Sequence, residues 1–190
     1  MDNTLYQQLV GSLLYLNHTQ PDICFVVGVY SRYMQDPYDL HWKAAKRILR
    51  YVKGTPSFGI FYVADCPLSL IGYTDSDRDG NGTDRKSTSG YVFSFDLGPF
   101  YWYSKKQSTI SLSTVEAEYR GAVNAATHVV WLQGLLSKFG IQYPLSIVIF
   151  YDNQGSIQIS IDPIQRQRTK HIEIHMHYIR ELIRDKVISL

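Results

Sequence analysis

Three acidic residues, Asp75, Glu118 and Asp152, sit where an α/β chain turns side chains out of its core. Asp75 follows the run Leu70-Ile71-Gly72-Tyr73-Thr74, which reads as a strand, and Asp152 follows the apolar run Ile147 to Tyr151. Sites in such sheets gather beyond strand ends. If the two strands are neighbours, both carboxylates face one point. The third acid comes from a helix that begins Ser113-Thr114-Val115-Glu116-Ala117-Glu118. Ser113 and Glu116 have the spacing of a capping box, which gives Glu116 a structural task. Glu118 borders the apolar stripe of Val115, Tyr119, Ala122, Val123 and Ala126, about 200° around the helix from Glu116. The two glutamates therefore cannot share one site, and Glu118 is the choice. Three oxygen donors that leave room for water and a phosphate suit Mg²⁺, with Mn²⁺ as its substitute. Two such ions a few ångströms apart activate a water and stabilise a leaving oxygen in phosphodiester hydrolysis. Plainer roles stay open: Asp152 as a helix cap, Asp75 as a turn residue, Glu118 as a surface residue.

The elements that must position these acids are legible in outline. Residues 4–54 read as helices: a first carrying Leu5, Leu9, Leu13, Leu14 and Leu16, a second from Pro21-Asp22 to about Met34, and a third from Asp39 to Gly54. The spacing then predicts strands over Phe58 to Val63, Leu68 to Tyr73, Gly90 to Phe95 and Phe100 to Tyr103. A long helix follows from Ser113 to about Phe139, with a break expected near Gly134. After the strand Ile147 to Tyr151 come a short helix ended by Pro163, an amphipathic helix over Ile172 to Arg184, and an incipient strand from Val187 to Leu190. The natural boundary lies near residue 65, giving a helical segment over 1–65 and an α/β domain over 66–190.

Bulk properties narrow the classes. A chain of 190 residues with 45% hydrophobic residues can bury one medium core. The formal charge of +2 means that a nucleic-acid face must be local. One such face is the third helix, where Lys43, Lys46, Arg47, Arg50 and Lys53 recur at three- and four-residue steps; an ordinary solvated face explains them equally well. Lys105 and Lys106, placed after a strand, are further candidates for phosphate contact. Cys24 and Cys66 read as reduced core thiols. The chain shows no signal peptide and no membrane-spanning run, so an intracellular location, cytoplasmic or nuclear, is expected. His171 and His175 stand one helical turn apart with His177 close by, but no third zinc ligand accompanies them. The run Phe100-Tyr101-Trp102-Tyr103 alternates, so one of its faces belongs to the core.

Ordered blocks then carry a resemblance. Gly72-Tyr73-Thr74-Asp75-Ser76-Asp77, Asp84 to Phe93, Ser104-Lys105-Lys106-Gln107, Leu112 to Tyr119, Asp152-Asn153-Gln154 and Arg168 to Ile174 resemble the ribonuclease H domain of copia-type LTR retrotransposon polyproteins. Leu9 to Leu16, Pro21-Asp22-Ile23 and Ala44 to Tyr51 resemble the segment that joins reverse transcriptase to it. The resemblance implies a ribonuclease H-like mixed sheet flanked by helices, preceded by a small helical segment. It also implies Mg²⁺-dependent cleavage of the RNA strand of RNA–DNA hybrids, and it sets Asp75, Glu118 and Asp152 on the family's first three metal-binding carboxylates. Two departures stand out. Arg78 and Asp79 replace a tryptophan and a small residue. The fourth carboxylate belongs to a helix after the final strand, and the sequence stops at Leu190, so a C-terminally truncated domain is expected. The polymerase signature Tyr-x-Asp-Asp is absent, which excludes polymerase activity. Besides an active nuclease, two readings stay open: a weak or inactive remnant that binds nucleic acid or a protein partner, and a homo-oligomer formed through an open sheet edge.

Overall fold

The computed structural model describes residues 2–64, 69–77, 85–95, 98–141, 143, 146–152 and 173–190, with backbone alone for residues 173 and 174. Contacts divide the chain into two units, Met1–Val63 with Tyr103–Lys105, and Ala64–Trp102 with Lys106–Leu190.

The first unit is helical. Helix α1 (Asn3–Leu16) begins at Asp2, whose carboxylate accepts from the Thr4 N–H at 2.8 Å and so satisfies a donor the helix leaves open. A 3₁₀ turn over Pro21–Ile23 leads into α2 (Cys24–Ser31), and α3 spans Asp39–Gly54. Tyr6, Val10 and Leu13 recur on one face of α1 and bury against Ile23, Val27, Ala45 and Ile48. Tyr6 is fully buried and its hydroxyl donates to the Tyr30 carbonyl at 2.8 Å; burial pushes its pKa up to about 12. Cys24 is a buried free thiol, while Cys66 lies outside the described residues. The strand expected over Phe58 to Val63 is not formed. Phe58 and Phe61 are 63% and 79% exposed. An apolar run is competent to pair, but a strand is made by its neighbour.

The second unit is an α/β layer. Strands β1 (Leu70–Asp77), β2 (Thr88–Phe95), β3 (Gly98–Lys106), β4 (Ile147–Phe150) and β5 (Ile188–Ser189) form one sheet in the order β3-β2-β1-β4-β5. β1 pairs antiparallel with β2, with Tyr73 opposite Val92, and parallel with β4, with Tyr73 opposite Phe150. β4 in turn pairs parallel with β5. The sheet is thus mixed and flanked by helices, the α/β class that the sequence implies. Helix α4 (Thr114–Lys138) packs on β1 and β2, and α5 (Glu173–Arg184) packs on α4. α4 runs through Gly134 unbroken, contrary to the expected break; glycine costs a helix interior only about 1 kcal/mol. The short helix expected before Pro163 lies outside the described residues. Among the described residues no helix is long and apolar enough to cross a membrane.

The close seating of α4 follows from small residues. Gly121, Ala122, Ala125 and Ala126 are buried along it, and a Cβ at Gly121 would overlap the Ser76 hydroxyl on β1. Likewise a Cβ at Gly72 would stand 2.8 Å from the Phe93 ring. Thr74 and Ser76 are buried and turn toward α4, so strand alternation sends Tyr73, Asp75 and Asp77 to the other face. There the Tyr73 and Phe150 rings stack with centroids 5.4 Å apart.

Two outcomes follow. Gly121→Ala must push α4 off β1 or displace Ser76, and should lower stability by about 1–3 kcal/mol in urea unfolding. Further along α4, His128 packs on Tyr91 with ring centroids 4.9 Å apart, and its Nδ1 lies 3.2 Å from the Tyr101 hydroxyl. Burial lowers its pKa below the ordinary 6.5. The unfolded chain therefore takes up this proton first as pH falls. Stability should drop from about pH 6.5 downward and level off below the lowered pKa. His128→Gln should remove that part of the loss, read as a smaller difference between urea midpoints at pH 7.5 and 5.

Candidate active site

The parallel pairing of β1 with β4 arranges two of the three candidate acids. Tyr73 stands opposite Phe150 at the end of the ladder, and Asp75 and Asp152 each follow two residues further along the sequence. Both are exposed. Asp75 lies inside β1, two residues before its end, rather than just beyond the strand as the sequence suggested, because the antiparallel ladder with β2 continues to Asp77 opposite Thr88. One Asp75 carboxylate oxygen accepts from the Ser76 N–H at 2.7 Å. Asp152 lies two residues past the end of β4.

Glu118 comes from α4, one turn before Gly121, where the helix meets Ser76. It is half-buried, and its Oε2 is shielded from solvent. Asp75, by strand alternation, points to the face away from α4. Glu116 has other work. Its backbone N–H donates to Ser113 Oγ at 3.1 Å, its Oε2 accepts from the Leu112 N–H at 2.8 Å, and its Oε1 pairs with Arg120 at 2.9 Å. Ser113 thus caps the helix as the spacing indicated, while the Glu116 carboxylate reaches the N–H of Leu112, one residue before the cap, rather than that of Ser113.

Among the described residues, no three His, Cys, Asp or Glu side chains stand close enough together to hold a metal ion. Asp75 lies on β1, Asp152 two residues past β4 and Glu118 on α4, and the three do not form such a group. The donor set itself fits a hard cation: every candidate atom is a carboxylate oxygen, and the two aspartates are open to solvent. Carboxylates drawn to one site repel unless a cation lies between them. His175 is half-buried and His177 exposed; His171 lies outside the described residues.

The basic residues divide by element. Lys43, Lys46, Arg47 and Arg50 are all exposed on α3, over about 10 Å of helix. Lys46 Nζ sits 4.7 Å from the centroid of the Trp42 ring, a cation–π contact. Lys105 is exposed and Lys106 half-buried; both lie inside β3, which runs three residues further than the sequence indicated. Sequence reasoning missed a buried polar set behind α4: Ser76, Ser89, Gln107 and Ser111 are all under 9% exposed. Its signal was present, since Ser87-Thr88-Ser89 and Gln107 are too polar for a core and yet flank apolar strands.

No protein-family profile matches the chain. It is 42% identical over 189 residues to the retrovirus-related Pol polyprotein from transposon RE2 of Arabidopsis thaliana, which covers 100% of the chain and 13% of that polyprotein. To the corresponding polyprotein from transposon TNT 1-94 of Nicotiana tabacum it is 39% identical over 186 residues, 97% of the chain and 14% of the relative. The chain therefore spans about an eighth of the length of these relatives. Among solved structures, LC11-RNase H1, isolated from compost, is similar over 64% of this chain and 79% of its own, with 14% identity and a TM-score of 0.48. Sequence identity near 40% held from end to end decides the family: this chain belongs to the retrovirus-related Pol polyproteins of transposons.

Proposed function

We propose that the chain carries a divalent-metal-dependent ribonuclease H that cleaves the RNA strand of RNA–DNA hybrids, with Asp75, Glu118 and Asp152 as its metal-binding carboxylates. The observation that supports the reading is the parallel pairing of β1 with β4, in which Tyr73 stands opposite Phe150, two residues before Asp75 and Asp152 respectively. Mg²⁺, or Mn²⁺ in its place, would supply an activated water and charge stabilisation at the leaving oxygen. The chain's own contribution is to hold the three carboxylates at one end of a rigid sheet and leave coordination positions open to water and phosphate. Selectivity for the RNA strand would rest on its 2′-hydroxyl. Lys43, Lys46, Arg47 and Arg50 match about three phosphates of one strand along the length of α3, and Lys105 and Lys106 add charge on β3. These six residues are the proposed nucleic-acid contacts.

One observation favours a second reading, a remnant that binds nucleic acid without cutting it: among the described residues no three acidic side chains are gathered.

A single assay separates the two. With labelled hybrid in Mg²⁺ and in Mn²⁺, the wild-type chain should cleave the RNA strand, and Asp75→Asn, Glu118→Gln and Asp152→Asn should each lower kcat by about a hundredfold or more without loss of fold. Glu116→Ala should behave in the opposite way, losing about 1–2 kcal/mol of stability with its cap and ion pair while keeping cleavage below its melting temperature. Binding of hybrid without cleavage in either metal ion would establish the remnant.

A further inference from the structure

A buried polar cluster beneath the first turn of α4 is unused by the proposed chemistry. At its centre is the Gln107 carboxamide, 8% exposed. Gln107 Nε2 donates to Ser89 Oγ at 2.7 Å and to the Ala117 carbonyl at 2.8 Å. Its Oε1 accepts from Ser111 Oγ at 2.9 Å. Ser89 Oγ also accepts from Ser76 Oγ at 2.8 Å, and the Gln107 backbone N–H donates to the Ser87 carbonyl at 2.8 Å. One amide thus joins β2, the start of α4 and the loop that leads into α4, and through Ser89 it reaches β1.

The orientation of the amide is dictated. A carbonyl only accepts, so the nitrogen must face Ala117. Both N–H donors and one oxygen lone pair are used, a combination that no other side chain of that length offers: ionised glutamate has no donor, and methionine has no donor and only a weak sulfur acceptor. Buried polar networks fix geometry when every member is satisfied. The residues gripped are Ala117, which precedes Glu118, and Ser76, which follows Asp75.

We infer that Gln107 is a positioning residue: its carboxamide locks the first turns of α4 to β1 and β2 and so sets where the Glu118 carboxylate is presented relative to Asp75. The inference rests on the ribonuclease reading for its catalytic consequence, but the locking itself is measurable without it.

The test compares the full wild-type chain with Gln107→Met and, as a control, Ile179→Val, a fully buried α5 position away from the site. In Gln107→Met, amide exchange over residues 116–120 should speed up about tenfold or more relative to residues 125–129 of the same helix. kcat on hybrid should fall about tenfold with KM within about twofold, and the Mg²⁺ concentration for half-maximal rate should rise several-fold. Ile179→Val should change none of these, even at a similarly lowered melting temperature. If Gln107→Met does not fold, Ser111→Ala, which removes one bond of the set, should show smaller changes in the same directions. Unchanged exchange at residues 116–120 would overturn the inference, as would kinetic losses equal to those of the control. If the wild type cleaves nothing, the ribonuclease reading falls, and the exchange data alone decide the role of Gln107.

Discussion

The contact on which the second unit depends is the approach of α4 to β1. The helix can lie directly on the strand because Gly121 offers no side chain where Ser76 stands, and the alanines on either side keep the gap closed. Everything proposed for the site inherits its precision from this seam. A larger residue at position 121 would lift the helix, and with it the carboxylate one turn earlier. Close packing in protein interiors leaves little slack to absorb such a shift. The same seam explains why the polar cluster around Gln107 is worth its burial: apolar contacts would hold α4 on the sheet, but they would not fix its rotation or its position along its own axis.

β1 performs two tasks because it borders two kinds of neighbour. Toward β2 it pairs antiparallel, and that hairpin supplies Ser89 to the polar cluster. Toward β4 it pairs parallel, and parallel strands deliver their C-terminal ends to the same edge, the edge after which Asp75 and Asp152 follow Tyr73 and Phe150 in sequence. Strand alternation then separates the roles within four residues. Thr74 and Ser76 serve the helix, whereas Tyr73 and Asp75 serve the opposite face.

Much of this could be read from residue types. The stop at Gly54 and the Ser113 cap each depend on interactions within a few residues, and each appears where the pattern indicated. The face expected on α1 is shifted: Tyr6, Val10 and Leu13 are its buried residues, Leu9, Leu14 and Leu16 are partly buried, and Leu5 is exposed. What escaped depends on distant partners. Phe58 to Val63 has the composition of a strand but no ladder, and Lys105 and Lys106 continue β3 although the pattern ended that strand at Tyr103. Asp75 lies within the strand rather than after it because the β2 ladder extends to Thr88, a pairing invisible along the chain. Within the site, the choice of Glu118 over Glu116 followed from helical geometry, and the hydrogen bonds of Glu116 account for one of the two glutamates. For Gln107 the sequence carried only its polarity beside an apolar strand; which groups it would join depends on partners distant along the chain.

The proposed site requires three carboxylates, which repel one another, to converge around a cation. Crystals of the chain grown with Mn²⁺ and measured at the manganese absorption edge test this most directly. The account predicts an anomalous peak bounded by oxygens of Asp75, Glu118 and Asp152 at about 2.0–2.2 Å, distances usual for small hard cations. No peak there at saturating Mn²⁺, or a peak held by other residues while these three stay apart, would contradict it.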